Sequence, residues 1–154
     1  MPMPKTIEGV QIIGIKSHDD ERGFFREVYK KSAINVSARQ VSLSLTKPGI
    51  IKAFHWHNSQ FDIWHLVSGR ALVVLYDIRK NSATAGLTMS FVMDETDPKL
   101  IVIPKKVAHG YKALGKGPML MLYIMDREYN RKKPDEWRMD FDDKRIGFNW
   151  ESEK

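Results

Sequence analysis

Cysteine is absent from the 154 residues. Its absence excludes disulfides, thiolate-built zinc sites, thiol nucleophiles and iron–sulfur clusters, and leaves His, Tyr and carboxylates to carry any chemistry. Long apolar runs are missing too. The longest, Met119 to Met125, is far too short to span a bilayer. The N-terminal stretch offers no apolar run of the kind a secretory leader needs. These absences predict a cytoplasmic protein that does not engage a membrane. No helix-turn-helix, RNP or zinc pattern is present, and the basic residues are dispersed through strands and turns, so nucleic acid is not an expected partner. Helical periodicity before residue 130, internal repeats and low-complexity segments are lacking as well.

What is present suits a single domain over residues 1–154. Apolar residues make up 42% of the chain, enough for a core without covalent staples. Val10, Ile12 and Ile13 to Ile15 begin a β-like run, and a turn from Asp19 to Gly23 leads into Phe24 to Tyr29. Val41, Leu43 and Leu45 alternate with Ser42, Ser44 and Thr46, a period of two. After a turn at Pro48-Gly49, strands are expected over Ile50 to His57 and Ile63 to Val67. Further strands are expected over Ala71 to Ile78, Leu87 to Met93, Leu100 to Ile103 and Met119 to Met125. Many short strands separated by Gly and Pro turns predict an antiparallel sandwich or barrel.

The C-terminal segment differs in composition. Of the 29 residues in 126–154, 17 are charged, eight basic and nine acidic. The core is therefore expected over about 10–126, with a packing segment over 127–154 in which Trp137, Phe141, Phe148 and Trp150 cover part of it. Pro134-Asp135-Glu136-Trp137 reads as a helix start. Lys and Arg outnumber Asp and Glu by 25 to 19, a net charge of +6. The first 125 residues hold 17 basic and 10 acidic residues, so the whole excess lies in the strand-rich part. That balance asks for an anionic ligand.

Residues two apart on a strand share a face, so His55 and His57 point one way while Phe54 and Trp56 point the other. His65 shares the parity of Ile63 and Val67 and reads as a packed or hydrogen-bonded histidine. Gly49, His55, His57, Asp62 and Gly69, with Pro104 and His109 downstream, resemble the two motifs of the cupin superfamily, with Asp62 where Glu is usual. A broader resemblance covers roughly 10–150. Asp20-Glu21-Arg22-Gly23-Phe24-Phe25 with Glu27, Asp77-Ile78-Arg79-Lys80-Asn81-Ser82-Ala83-Thr84 with Gly86, Ile103-Pro104 followed by Ala108-His109-Gly110, and Ile146-Gly147-Phe148-Asn149-Trp150 come in the order of the dTDP-4-dehydrorhamnose 3,5-epimerase signatures. Tyr123 and Tyr129 fall where that family has its tyrosine pair.

The resemblance implies an all-β fold, the cupin double-stranded β-helix or jelly roll, with a short C-terminal helical or irregular tail. It implies an isomerase that needs no cofactor and acts on a nucleotide-diphosphate 4-keto-6-deoxy sugar. It also implies a homodimer in which the arm bearing Arg22 reaches the partner's pocket. Carried over by position, His55 is the base that removes a proton beside the ketone and Tyr123 the acid that returns one. Arg22 and Lys52 face the diphosphate, Gln40 the nucleotide or sugar, and Tyr129 stacks on the ligand, while Glu27, His57 and His109 complete the substrate-binding set. Asp62 stands where the family carries a Lys, Val73 where it carries a buried Asp, Lys52 where it carries an Arg and His57 where Gln is usual. Three alternatives accompany this reading. One is a 3,4-ketoisomerase, which shares the His-x-His strand. Another is a metal-dependent cupin enzyme holding Fe, Mn, Ni or Zn on His55, His57, Asp62 and His109. The third is a sugar-nucleotide-binding protein without turnover.

Overall fold

The alternating and fully apolar runs fold into two facing five-stranded antiparallel sheets, as the jelly-roll reading requires. A computed structural model describes residues 6–153; residues 1–5, part of the stretch read above for a leader, and residue 154 lie outside it. The strands are β1 (Gln11–Gly14), β2 (Ser17–Asp20), β3 (Gly23–Arg26), β4 (Gln40–Thr46), β5 (Ile51–Trp56), β6 (Asp62–Ser68), β7 (Arg70–Asp77), β8 (Thr88–Asp94), β9 (Lys99–Ile103), β10 (Val107–Leu114), β11 (Met119–Met125) and β12 (Trp137–Arg138), with one short helix, α1 (Lys31–Ile34). One sheet has the order β1-β9-β6-β11-β4 and the other β12-β5-β10-β7-β8, while β2 and β3 form a separate hairpin.

The inner faces of both sheets meet in one core. Trp64 and Leu66 from β6, Met119 and Met121 from β11, and Ala71, Val73 and Leu75 from β7 are buried there with Tyr111 from β10. The other parity of β7 is also covered. Leu72 and Val74 pack with Phe54 and Trp150 beneath the C-terminal segment, which explains why β7 is apolar without alternation. The segment holding α1 covers the outer face of the first sheet through Ile34, against Ile63, Leu100 and Val102.

Two local expectations are corrected. Pro134 to Trp137 starts no helix: Trp137 and Arg138 form β12, paired with Trp56 and His55 of β5. The carboxylate and backbone of Asp135 are occupied by distant partners (below), so a helix-capping role is not available to them. The stretch from Asp19 to Gly23 is not all turn, because Asp19 and Asp20 pair with Phe24 and Gly23 in the hairpin.

Strand β4 has an inverted pattern. Its polar residues Ser42, Ser44 and Thr46 face inward, and Val41, Leu43 and Leu45 face outward at 58%, 63% and 60% exposure. An edge strand with its apolar row outside leaves a surface that water covers poorly.

Candidate active site

Histidines from β5 and β10 meet carboxylate and aromatic groups from β6 and β11 at one end of the barrel. His55 lies directly opposite His109 in the β5–β10 pairing. Their rings are 4.2 Å apart and close to perpendicular. Across the barrel, β6 contributes Asp62 and Trp64, and β11 contributes Tyr123, whose ring stacks on Trp64 at 5.3 Å. Trp64 also contacts the His55 ring at 6.3 Å and the His109 ring at 5.0 Å. His55, His57, Asp62, Tyr123, Gln40 and Tyr129 line a single cavity of about 1070 Å³.

The buried carboxylate of Asp62 organises the histidines. Its Oδ2 lies 3.3 Å from His57 Nε2 and 3.2 Å from His109 Nε2, and its Oδ1 accepts from Gln60 Nε2 at 2.6 Å. Nδ1 of His109 donates to the Val107 carbonyl at 2.8 Å, and Nδ1 of His57 donates to the Asp135 carbonyl. Burial would raise the Asp62 pKa, but the two histidines overcome it and hold the carboxyl well below its usual range. Burial works against charging His57, yet the hydrogen bond and charge of Asp62 prevail and raise its pKa. His55 is different. Burial, reinforced by His109, pushes its pKa well below 6.5 and keeps the imidazole neutral. Among the described residues, no hydrogen bond engages its ring. Burial and the neighbouring Tyr111 raise the Tyr123 pKa, so its hydroxyl keeps its proton.

A family model for dTDP-4-dehydrorhamnose 3,5-epimerase matches residues 4–154. The chain belongs to this family of isomerases. It is 45% identical over 148 residues to the spore coat polysaccharide biosynthesis protein SpsL of Bacillus subtilis (strain 168), covering 96% of this chain and 98% of SpsL. It is 33% identical over 151 residues to the probable low-salt glycan biosynthesis epimerase Agl13 of Haloferax volcanii, covering 96% and 97% of the two chains. Its fold is shared with the dTDP sugar isomerase of Desulfovibrio desulfuricans G20, at a TM-score of 0.88 and 24% identity, covering 96% and 94% of the two chains.

Within this dTDP-sugar epimerase framework, the residues expected from the sequence separate into two groups. His55, His57, Gln40, Tyr123 and Tyr129 share the cavity, with His109 packed behind it. Lys52, Arg22 and Glu27 do not line it. Lys52 lies opposite Tyr111, while His55 lies opposite His109, because the β5–β10 register shifts between His109 and Tyr111. The shift puts Lys52 on the His55 face, where its Nζ donates to Ser44 Oγ at 2.9 Å. Arg22 sits at the exposed tip of the β2–β3 hairpin with its guanidinium on Asp20. Glu27 pairs with Lys30 at 2.8 Å. His65 is hydrogen-bonded as expected, donating from Nδ1 to the Lys99 carbonyl at 3.0 Å.

Sequence reasoning missed Gln60, Trp64, Tyr111 and Asp135. Gln60 sits two residues before Asp62, a spacing that does carry a same-face signal. Asp135 gives none, because its partners are far away in sequence. Its carboxylate accepts the Asn58 and Ser59 amides, each at 2.8 Å, while its carbonyl holds His57. The epimerase motif from Asp77 to Thr84 has a structural use in this chain. The buried Asp77 carboxylate accepts from Arg79 Nε at 2.8 Å, Ser82 Oγ at 2.6 Å and Thr84 Oγ1 at 2.7 Å. Among the described residues, no helix is long and apolar enough to cross a membrane.

Proposed function

We infer that the protein epimerises a nucleotide-diphosphate 4-keto-6-deoxy sugar, with His55 as base and Tyr123 as acid. The observation that carries this reading is that His55 and Tyr123 come from opposite sheets, pack against the same Trp64 and line one cavity. A ketone acidifies the C–H bonds beside it. A neutral imidazole at the cavity wall accepts such a proton, and a protonated phenol on the facing wall returns one to the other side of the carbon. Burial prepares both groups, since it disfavours the charged forms of His55 and Tyr123. Gln40 and Tyr129 line the same cavity and would meet the nucleotide half. The family description supports a dTDP-linked 4-keto sugar.

The same reading includes a homodimer. Val41, Leu43 and Leu45 on β4 are exposed, and so are Phe24 and Phe25 on the hairpin, at 60% and 66%. A second copy would cover these surfaces and allow the hairpin to bring Arg22 to the neighbouring cavity, where it meets the diphosphate. Light scattering should give twice the chain mass.

The test is product analysis by NMR with dTDP-4-keto-6-deoxyglucose. Inversion at C3, C5 or both is expected, with loss in His55→Ala while binding and fold persist. A product with its ketone at C3 would instead assign a ketoisomerase, and binding without turnover would contradict the enzymatic reading.

A further inference from the structure

We propose that Asp135 is a positioning residue of the active site: it holds the His57 ring against Asp62, so that the Asp62 carboxylate stays engaged while the sugar reacts. The catalytic consequence rests on the reading above. Asp135 lies on the segment that leaves the first sheet at the end of β11 and joins the second sheet at β12. This crossing brings it against the loop of residues 57–61 between β5 and β6. Its carboxylate is divided between two amides of that loop. Oδ1 accepts the Asn58 N–H and Oδ2 the Ser59 N–H, each at 2.8 Å. With the side chain fixed in this way, the Asp135 carbonyl meets Nδ1 of His57. A carbonyl only accepts, so Nδ1 carries a proton and the ring is oriented by it.

The same crossing segment grips the loop elsewhere, but only through backbone. Asp126 Oδ1 accepts the Phe61 N–H at 2.9 Å, and Arg127 Nε donates to the Ser59 carbonyl at 2.9 Å. The His57 carbonyl accepts the Lys106 N–H at 2.7 Å. Asp135 differs in reaching the His57 side chain. Among the described residues, the polar partners of that ring are Asp135 on Nδ1 and Asp62 on Nε2.

The use of this contact follows from Asp62. Anchoring Nδ1 leaves Nε2 to face Asp62 Oδ2 at 3.3 Å. His109 Nε2 meets the same oxygen at 3.2 Å, and Gln60 Nε2 donates to Oδ1 at 2.6 Å. Asp62 lines the cavity together with His55. An enolate formed there is negative, and a carboxylate released from its partners would oppose it. His109 also packs its ring 4.2 Å from that of His55. A His57 ring that swings off Asp62 therefore disturbs the charge and the packing around the base, while His55 and Tyr123 remain in place.

The experiment follows the His57 ring by proton–nitrogen NMR in the full chain labelled with ¹⁵N-histidine. The signal is identified by its loss in His57→Gln. Wild type should show a low-field, slowly exchanging Nδ1–H. Asp135→Ala should lose that signal and lower kcat at least about tenfold. Its affinity for dTDP, read by thermal shift, should change less than about threefold. Because Asp135 acts through His57, adding Asp135→Ala to His57→Gln should lower kcat less than about twofold further. Near-ultraviolet circular dichroism checks folding. Asp135→Asn keeps one acceptor oxygen and should fall between wild type and Asp135→Ala; it is read in its place if the alanine variant does not fold. A residue that only stabilises the loop would lower the unfolding temperature and leave the ring signal and kcat unchanged, which overturns the proposal. Losses of kcat that multiply in the double variant overturn it too, as does a wild type without the signal. The ring signal is measured without substrate. Its loss in Asp135→Ala with no turnover in wild type refutes only the epimerase reading, and its retention with normal turnover refutes only the role of Asp135.

Discussion

The hydroxyl oxygens of Tyr111 and Tyr123 are 2.6 Å apart, within hydrogen-bonding distance of one another. Tyr111 in turn meets Ser44 Oγ at 3.3 Å and Thr46 Oγ1 at 3.2 Å. The inward polar row of β4 therefore holds the Tyr111 hydroxyl beside that of Tyr123. Tyr123→Phe removes the acid and should lower kcat at least about 100-fold, while isotope exchange at the carbon facing His55 continues. Tyr111→Phe keeps the acid but loosens its orientation, and a loss of roughly tenfold is expected. Steady-state kinetics with product NMR checks both. Equal losses in the two variants would count against Tyr123 as the donor.

The pH profile follows from the two shifts. His55 must be neutral to accept a proton, and its pKa lies well below 6.5. The acid limb of kcat/KM should therefore fall below pH 6.5. Tyr123 must be protonated, and its pKa is raised above 10. Its ionisation should impose no loss on the alkaline side up to pH 10. An acid limb at or above 6.5 that persists in His57→Gln would exclude a buried, neutral His55 as the base.

Asp77 contributes stability through charge-assisted hydrogen bonds from Arg79, Ser82 and Thr84. Burial would raise its pKa, but these donors, Arg79 first, hold it below the usual carboxylate range. The contribution is complete above the unfolded value of about 3.9 and is lost as pH falls through the lower folded value. Asp77→Asn should cost about 2 kcal/mol at pH 7. The gap between wild type and variant should stay level down to about pH 4 and close below it. Urea unfolding at pH 7 and pH 3 measures both points.

Gly110 marks where β5 crosses close to β10. A Cβ at this position would lie 2.3 Å from Ala53 Cβ, 2.6 Å from Ala53 Cα and 2.8 Å from the Lys52 carbonyl oxygen. Backbone cannot yield as a flexible side chain does. Gly110→Ala should destabilise by about 3 kcal/mol and, because β5 carries His55, should disturb the site as well. A fully active, equally stable variant would show that the strands separate freely.

The strands and the cavity histidines were legible because period-two patterning and short-range spacing are local. His55 and His57 share the cavity face as their spacing requires, and Phe54 packs on the opposite side. Lys52 was not legible by the same count, because the register shift opposite Gly110 places it on the His55 face three residues away. The edge strand β4 shows why pattern alone does not fix inside from outside. Its alternation was visible, yet its hydroxyl row turns inward to serve Tyr111. By local composition Asp135 belongs to a helix start. Its amide and histidine partners near residue 58 were invisible without the fold, and they decide the backbone there.

The central claim is that His55 removes a proton beside the sugar ketone. It is tested most directly by following dTDP-4-keto-6-deoxyglucose in D₂O by proton NMR with wild type and His55→Ala. The account predicts loss of the proton signal at C3, C5 or both with wild type, and at least about 100-fold slower loss in the variant that still binds the nucleotide sugar. Exchange at the same rate in His55→Ala, or none in wild type with the sugar bound, would contradict it.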